Sequence, residues 1–300
     1  MILVISSSYD RTCDYIIEKY ENFNFFRFNI DDFSNYSINV SARGFEIESK
    51  TQKINSENCI SIYYRKPSPE NLSGIFDKKY HHFSYGEVLS VIDGLVEYFP
   101  GRCLSKPSVI RKAGNKTFQA LTAEKVGFEI PRAFISNSIK HIDLEESKDI
   151  IVKPISSGQI CADGEKEFVQ TNMFKKSLNS SLIRYTPVYF QKYIKKDFEV
   201  RVTVVNKSFF PVRIDSIDPV DWRRPGNKVS YSTCTIPLQI KNSCIKFMNI
   251  VGIEFGCFDF IIKDEIWYFL EMNSNGQWAW LEIELGINIS ENIVSYLNDH

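Results

Sequence analysis

A chain of 300 residues is long enough for two or three lobes, each with its own core. A net charge of −1 removes the electrostatic case for nucleic acid, and no apolar run is long enough to cross a membrane. Seven cysteines, an odd number with no C-x-x-C pair, read as reduced core residues of a cytoplasmic protein rather than as disulfides or a zinc site.

The first hundred residues alternate strand and helix, as a small α/β lobe does. Ile2 to Ser6 is a short apolar strand rather than a signal peptide. Asp10 or Thr12 can cap a helix running to Tyr20, and Phe25 to Ile30 is a second strand. Ser37 to Glu48 reads as a hairpin through Arg43 and Gly44, and Cys59 to Arg65 as a strand closed by Pro67 and Pro69. Tyr85 to Phe99 is the clearest helix, with Val88, Ile92, Leu95 and Phe99 on one stripe and Pro100-Gly101 as its stop. The first strand ends in Ser6-Ser7-Ser8, without the glycines of a dinucleotide fingerprint. His81 and His82 are adjacent, and on a helix they point about 100° apart, which makes them poor joint metal ligands.

Lys106-Pro107 marks a boundary, so residues 1–105 form the first predicted domain and 106–187 a central one. Asn115 caps a helix that ends at Gly127, with Pro131 beyond it. Lys116 lies in the first turn, where the helix dipole disfavours a cation; it is either simply solvated or aimed at an anion. Asp149 to Lys153 is an apolar strand with a lysine at its exit, followed by Pro154 and by Ser156-Ser157-Gly158. A lysine leaving a strand beside small residues suits a phosphate, although a single glycine makes the loop a weak cradle.

Residues 188–300 make the third predicted domain, beginning with an apolar strand from Val188 to Ile194. Glu199, Arg201 and Thr203 then alternate with Val200, Val202 and Val204. With a return turn centred on Lys207, Arg201 would pair with Arg213 and Glu199 with Asp215. Adjacent arginines repel unless an anion lies between them, so this face predicts either a bound phosphate or an internal ion-pair network. Asp221 to Asn227, with Trp222, Arg223 and Arg224, reads either as a mobile loop closing over a charged ligand or as an exposed turn. Cys244 to Val251 is a short helix, and the tail from Asn288 is another.

Cys257 to Lys263 and Ile266 to Met272 are the strands of a hairpin that is apolar on both sides, and so is predicted to be buried on both. Yet it carries Asp259 and Glu271. A three-residue turn would set these directly opposite each other; a two-residue turn or a bulge would shift the pairing by one. Asn273 shares the face of Glu271. Opposed carboxylates in an apolar sheet lose hydration and repel, and a hard cation removes both costs. The all-oxygen set fits Mg²⁺, which shares its shell with substrate phosphates. Truncating either acid is then expected to relieve repulsion and leave the chain folded. The bland alternative is a solvated hairpin with ordinary surface acids.

A helix-start lysine, a strand-end lysine, an E-x-R strand and a D…E-x-N hairpin, in that order, resemble the ATP-grasp superfamily. The stretches KAGNKTFQALTAEKVGFEIPRAFISN, FQKYIKKDFEVRVTVV, RIDS and FLEMNSNGQW are similar to the microviridin-type peptide macrocyclases, or graspetide synthetases, over roughly Tyr85 to Trp280. The N-terminal lobe fits their pre-ATP-grasp domain more loosely. The resemblance implies an α/β ATP-grasp fold behind a pre-ATP-grasp domain. It implies that Lys116 and Lys153 hold the ATP phosphates and that Gln191 to Ile194 form the hinge against adenine, with backbone contacts from Lys192 and Tyr193. Glu199 would take the ribose, Arg201 a phosphate, and Asp259, Glu271 and Asn273 the Mg²⁺ ion. Arg213 and Asp215 would face the acceptor side and act in catalysis with Arg201.

The implied reaction activates Asp or Glu side chains of a ribosomal precursor peptide as acyl-phosphates. Thr, Ser or Lys side chains of the same peptide then attack to give ester or amide bridges, while a leader segment docks on the enzyme. A homodimer is compatible with this reading. The loop after Lys153 is short and poor in glycine for an ATP-grasp enzyme, which predicts a less ordered ATP lid. Two other readings stand beside it: a ligase joining separate molecules, such as amino acids to a peptide or protein terminus, and a non-enzymatic nucleotide binder of the same fold.

Overall fold

The computed structural model describes residues 1–138, 140, 149–156, 158–162, 165–168, 171–174, 180–224 and 226–299. The N-terminal lobe runs β1 (Ile2–Ser6), α1 (Arg11–Lys19), β2 (Phe25–Asn29), β3 (Ser37–Ser41), β4 (Gly44–Glu48), β5 (Lys53–Asn55), β6 (Ser61–Tyr64), α2 (Lys78–Tyr98) and β7 (Arg102–Leu104). Every residue of β1 is buried, because the strand is flanked on both sides in the parallel order β2-β1-β6-β7. Asp10 caps α1 by accepting from the Thr12 N–H at 3.0 Å. The hairpin through Arg43 and Gly44 forms as β3 against β4, and β5 extends it. Helix α2 begins at Lys78, capped by Asp77, rather than at Tyr85. Its first turns are mostly exposed and so carry no apolar stripe; His81 and His82 sit there, with the His81 ring against the Phe76 carbonyl.

The central lobe follows with α3 (Pro107–Ala113), α4 (Lys116–Lys125), β8 (Ala133–Ser136), β9 (Ile150–Lys153), β10 (Gln159–Ala162), β11 (Glu165–Phe168), β12 (Asn172–Met173), α5 (Ser180–Ile183) and β13 (Val188–Lys192). Pro107, read from sequence only as a boundary, opens α3 as a first-turn proline. The Asn115 side chain accepts from the Phe118 N–H at 2.9 Å and caps α4. β13 pairs with both β8 and β9 in the antiparallel order β12-β9-β13-β8. On that pairing we draw the boundary after Lys192, not before Val188.

The C-terminal lobe contains β14 (Phe198–Val205), β15 (Ser208–Ser216), β16 (Val229–Thr233), α6 (Leu238–Val251), β17 (Phe255–Lys263), β18 (Ile266–Asn273), α7 (Ala279–Leu285) and α8 (Ile289–Asn298). Its sheet has the antiparallel order β16-β15-β14-β17-β18. Val200, Val202, Val204, Phe258 and Phe260 pack with Phe247 and Met248 of α6 in one core. By strand alternation the opposite face carries Glu199, Arg201, Thr203, Cys257 and Asp259. A second core joins Val205, Val212, Phe255 and Trp278 to α8 and to β1 and α1, so the N-terminal lobe covers part of the sheet. The six cysteines whose side chains are described are free, and no described helix is long and apolar enough to cross a membrane.

Candidate active site

Two hairpin turns decide which side chains meet. Between β14 and β15 the turn is two residues, Asn206 and Lys207, with Asn206 at φ 54°. The register is therefore Arg201↔Val212 and Val200↔Arg213, which corrects the expected pairing of Arg201 with Arg213 and Glu199 with Asp215. A one-residue shift changes the face on which a side chain stands. Arg213 and Asp215 lie on the side opposite Arg201. They pair with each other at 2.8 and 2.7 Å, with the Arg213 guanidinium 3.8 Å from the Phe198 ring centroid. The structure does not bring them to the site.

The β17–β18 turn is also two residues, Asp264 and Glu265, both at positive φ, as a tight hairpin turn requires. That alone would move Asp259 out of register with Glu271. A bulge after Asp259 restores it: Phe260 pairs with Phe269, Leu270 is the extra residue, and Asp259 faces Glu271.

The two carboxylates are not a bare repelling pair. Arg201 grips Asp259 through two hydrogen bonds, Nε to Oδ1 at 3.0 Å and Nη2 to Oδ2 at 3.2 Å. Asn273 Nδ2 donates to Asp259 Oδ2 at 2.9 Å and to Glu271 Oε1 at 3.4 Å. Glu271 meets Lys116 Nζ at 3.6 Å and Arg223 Nη2 at 3.9 Å, while Lys116 also donates to the Pro154 carbonyl at 2.9 Å. Burial raises the Asp259 carboxyl above the usual range against the pull of Arg201 and Arg223. Burial also pushes Glu271 up, but Lys116, Arg223 and Lys153 outweigh it and hold the group low. The expectation that truncating either acid only relieves repulsion therefore fails for Asp259, whose loss would strand the buried Arg201.

Lys116, Arg223 and Glu271 line a 360 Å³ cleft between the central and C-terminal sheets, together with Lys153, Lys192, Ile194 and Glu199. A 290 Å³ cavity beside it shares Lys116, Lys153, Gln191 and Glu271 and extends to Phe134 and Phe269. Gln191 is 3% exposed, and its Oε1 has no partner among the described residues. The N–H groups of Lys192 and Tyr193 already donate to the carbonyls of Arg132 and Asp149 at 2.8 and 2.6 Å, so neither is free to meet adenine as a donor. Glu199 accepts from Lys196 Nζ at 2.9 Å, and burial raises its carboxyl. In the loop before β16, Arg224 donates to the Thr171 carbonyl at 3.0 Å and Asn227 to the Trp222 carbonyl at 2.8 Å. Ser157 and Pro225 lie outside the described residues.

Residues 1–111 match the model of the MvdD pre-ATP-grasp domain. A RiPP-associated ATP-grasp ligase of Chryseobacterium gregarium, solved with ADP and a leader and core peptide, is 25% identical, with 99% of this chain and 96% of that one covered and a TM-score of 0.88. The chain is an ATP-grasp ligase. The macrocyclase MdnB of Microcystis aeruginosa MRC is also 25% identical, over 100% and 99% of the two chains, with a TM-score of 0.82. MdnC of the same organism, bound to its precursor peptide MdnA, shares the fold at 24% identity, 99% coverage of each chain and a TM-score of 0.88. No curated protein matches the sequence.

One buried arginine of the ligase has no role assigned to it from sequence. Arg65 is 0% exposed. It pairs with Asp10 at 3.0 Å and donates to Gln277 Oε1 at 2.6 Å and the Gly276 carbonyl at 3.3 Å. It thus ties the turn after Asn273 to the N-terminal lobe. Only glycine fits that turn, since a Cβ on Gly276 would lie 2.4 Å from Cys257 Sγ. The one signal for Arg65 is a charge at the end of an otherwise apolar strand.

The donor set fits Mg²⁺, the ion expected with this fold. Among the described residues no group of three or more His, Cys, Asp or Glu gathers, so the protein would offer two carboxylates and an amide. Mg²⁺ tolerates that, because it keeps waters and takes phosphate oxygens. Asn273 turns its amide nitrogen toward the acids, and a half-turn of the amide would present its oxygen instead.

Burial pushes the Lys153 ammonium down to about 8, with Glu271 opposing and Lys116 and Arg223 reinforcing. A folded pKa below the free value means the folded state holds fewer protons between about pH 8 and 10.5, so this residue's contribution to stability rises with pH across that window. A phosphate beside it favours the charged form. Nucleotide binding near pH 8 is thus expected to take up a proton, and the calorimetric binding enthalpy should vary with buffer ionisation enthalpy. Lys153→Met should abolish that dependence and weaken binding by about 1.5–3 kcal/mol. Buffer-independent enthalpy in the unsubstituted ligase would place Lys153 away from the phosphates.

Proposed function

We propose that the ligase uses ATP to activate carboxylate side chains of a ribosomal precursor peptide and joins them to hydroxyl or amine side chains of the same peptide. The observation that carries this is the convergence of Lys116, Lys153 and Arg223 on Glu271 in one cleft, with Asp259 and Asn273 hydrogen-bonded beside it. The C. gregarium ligase, solved with ADP and a leader and core peptide, supports the choice of substrate.

In this reading Gln191 and Ile194 meet the base, Glu199 the ribose, and Lys116, Lys153 and Arg201 the phosphates. Asp259, Glu271 and Asn273 would hold Mg²⁺, which shields phosphate charge when bound. A substrate carboxylate oxygen attacks the γ-phosphorus, the bond to ADP breaks, and an acyl-phosphate results. A Thr, Ser or Lys side chain then attacks the acyl carbon and releases phosphate, leaving an ester or amide. The cations of the cleft offset charge as it builds on the transferring group. Burial raises the thiols of Cys257, Cys244 and Cys13, which disfavours an acyl-enzyme on any of these three. Holding both partners in one peptide gives the attacking group a high effective concentration over water.

Incubation with the cognate precursor, ATP and Mg²⁺ should remove one water per bond made and add no mass. Intact-mass and fragment-ion spectra check this. Addition of a free amino acid without an internal crosslink would favour the ligase that joins separate molecules.

A further inference from the structure

A separate cleft of 400 Å³ lies between the N-terminal lobe and α7, lined by Tyr9, Arg11, Lys66, Gln277, Trp280 and Ile283 among others. Its charge is one-sided. The one acid on its wall is Asp10, which is 8% exposed and already engaged by Arg65 at 3.0 Å, Ser6 Oγ at 3.1 Å and the Thr12 N–H. Arg11 has a side chain 94% exposed and only a 3.9 Å contact to Asp14. Lys66 makes no ion pair within 4.0 Å among the described residues.

Lys66 is also held in place. It takes a left-handed φ of 45°, which an L-residue adopts at a cost. Pro67 follows it, and Ser7 Oγ donates to its carbonyl at 3.2 Å. Partial burial lowers its ammonium pKa, as do Arg65 and Arg201, while Asp10 and Cys257 oppose them, and the residue remains exposed to solvent. A lysine that lines a cleft beside Arg11 and makes no ion pair among the described residues is a site for an anion.

The cleft connects to the chemistry through aromatic rings. Trp280 on its wall is 4.7 Å from Tyr231 and 5.6 Å from Trp222 between ring centroids. Trp222 stands between Asp221 and Arg223, which line the nucleotide cleft. Trp280 and Trp222 thus join the wall of this cleft to the loop whose Asp221 and Arg223 line the other.

We propose that this cleft binds an acidic stretch of the peptide substrate, with Lys66 holding a carboxylate other than the one being activated and Trp280 packing beside it. The inference rests on the peptide-ligase reading above and adds which side chains the site reads.

The test is an equilibrium titration of acetylated, amidated tetraglutamate and tetraglutamine into the full chain, with and without Mg-ADP. Filling the nucleotide site with Mg-ADP keeps its cations from competing for the acidic peptide. Tetraglutamate should bind about tenfold more tightly than tetraglutamine. Lys66→Met should erase the difference, Lys66→Arg should retain it, and both variants should bind ADP as the unsubstituted chain does. Equal affinity for the two peptides, or tetraglutamate binding unaltered in Lys66→Met, would overturn the proposal. Failure of the unsubstituted chain to bind ADP would instead overturn the nucleotide reading, and the titration without ADP would still decide the cleft.

Discussion

Glu271→Gln should leave the ligase folded and able to bind nucleotide, yet cut ATP turnover at least about a hundredfold, the equivalent of about 3 kcal/mol in the barrier. The substitution keeps shape and removes charge. Its structural cost is small because the contacts of Glu271 with Lys116 and Arg223 are long, 3.6 and 3.9 Å, and Lys116 keeps its bond to the Pro154 carbonyl. Its chemical cost is large because Glu271 is where the cations of the cleft and the acid of β17 come together. Losing the carboxylate removes one of the two anionic ligands proposed for the ion and leaves Lys116, Lys153 and Arg223 without their common counter-charge. The measurement is single-turnover ATP consumption beside a thermal melt. Turnover near that of the unsubstituted enzyme, with a normal melt, would remove Glu271 from the metal set.

The alternation of β14 and the two-sided apolar character of β17 and β18 were legible in the sequence, because burial on both faces leaves a plain trace in residue type. So was the opposition of Asp259 and Glu271, though it arises from two departures that cancel, a two-residue turn and a bulge at Leu270. Nothing in residue type announces a bulge at Leu270, between Phe269 and Glu271. The other hairpin shows the cost of that ambiguity. One residue fewer in the Asn206-Lys207 turn sends Arg213 and Asp215 to the far face, and no local pattern separates the two turn lengths. Arg65 and Lys66 were missed for another reason. The Arg65 partners Asp10 and Gln277, and the Trp280 that lines a cleft with Lys66, are distant in sequence, and only the packing of the N-terminal lobe on the turn after Asn273 brings them together.

The buried pair Arg201–Asp259 leads to the second large effect. Both side chains are under a tenth exposed, and the contact is bidentate. Asp259→Leu alone should cost about 3–5 kcal/mol of stability, since it leaves a guanidinium buried without its counter-charge. Arg201→Met alone should also destabilise, because Asp259 then faces Glu271 with only the more distant cations in support. The double variant Arg201→Met/Asp259→Leu should recover most of that loss, as apolar replacement of a whole buried ion pair is often neutral or stabilising. It should nevertheless be inactive, because the proposed phosphate contact and the proposed metal ligand are gone together. Denaturant midpoints for the four proteins give the coupling directly. Losses that simply add in the double variant would mean that each residue is held by other groups and that the pair is no energetic unit. Recovery of stability without turnover would separate what Asp259 does for the fold from what it does for the reaction.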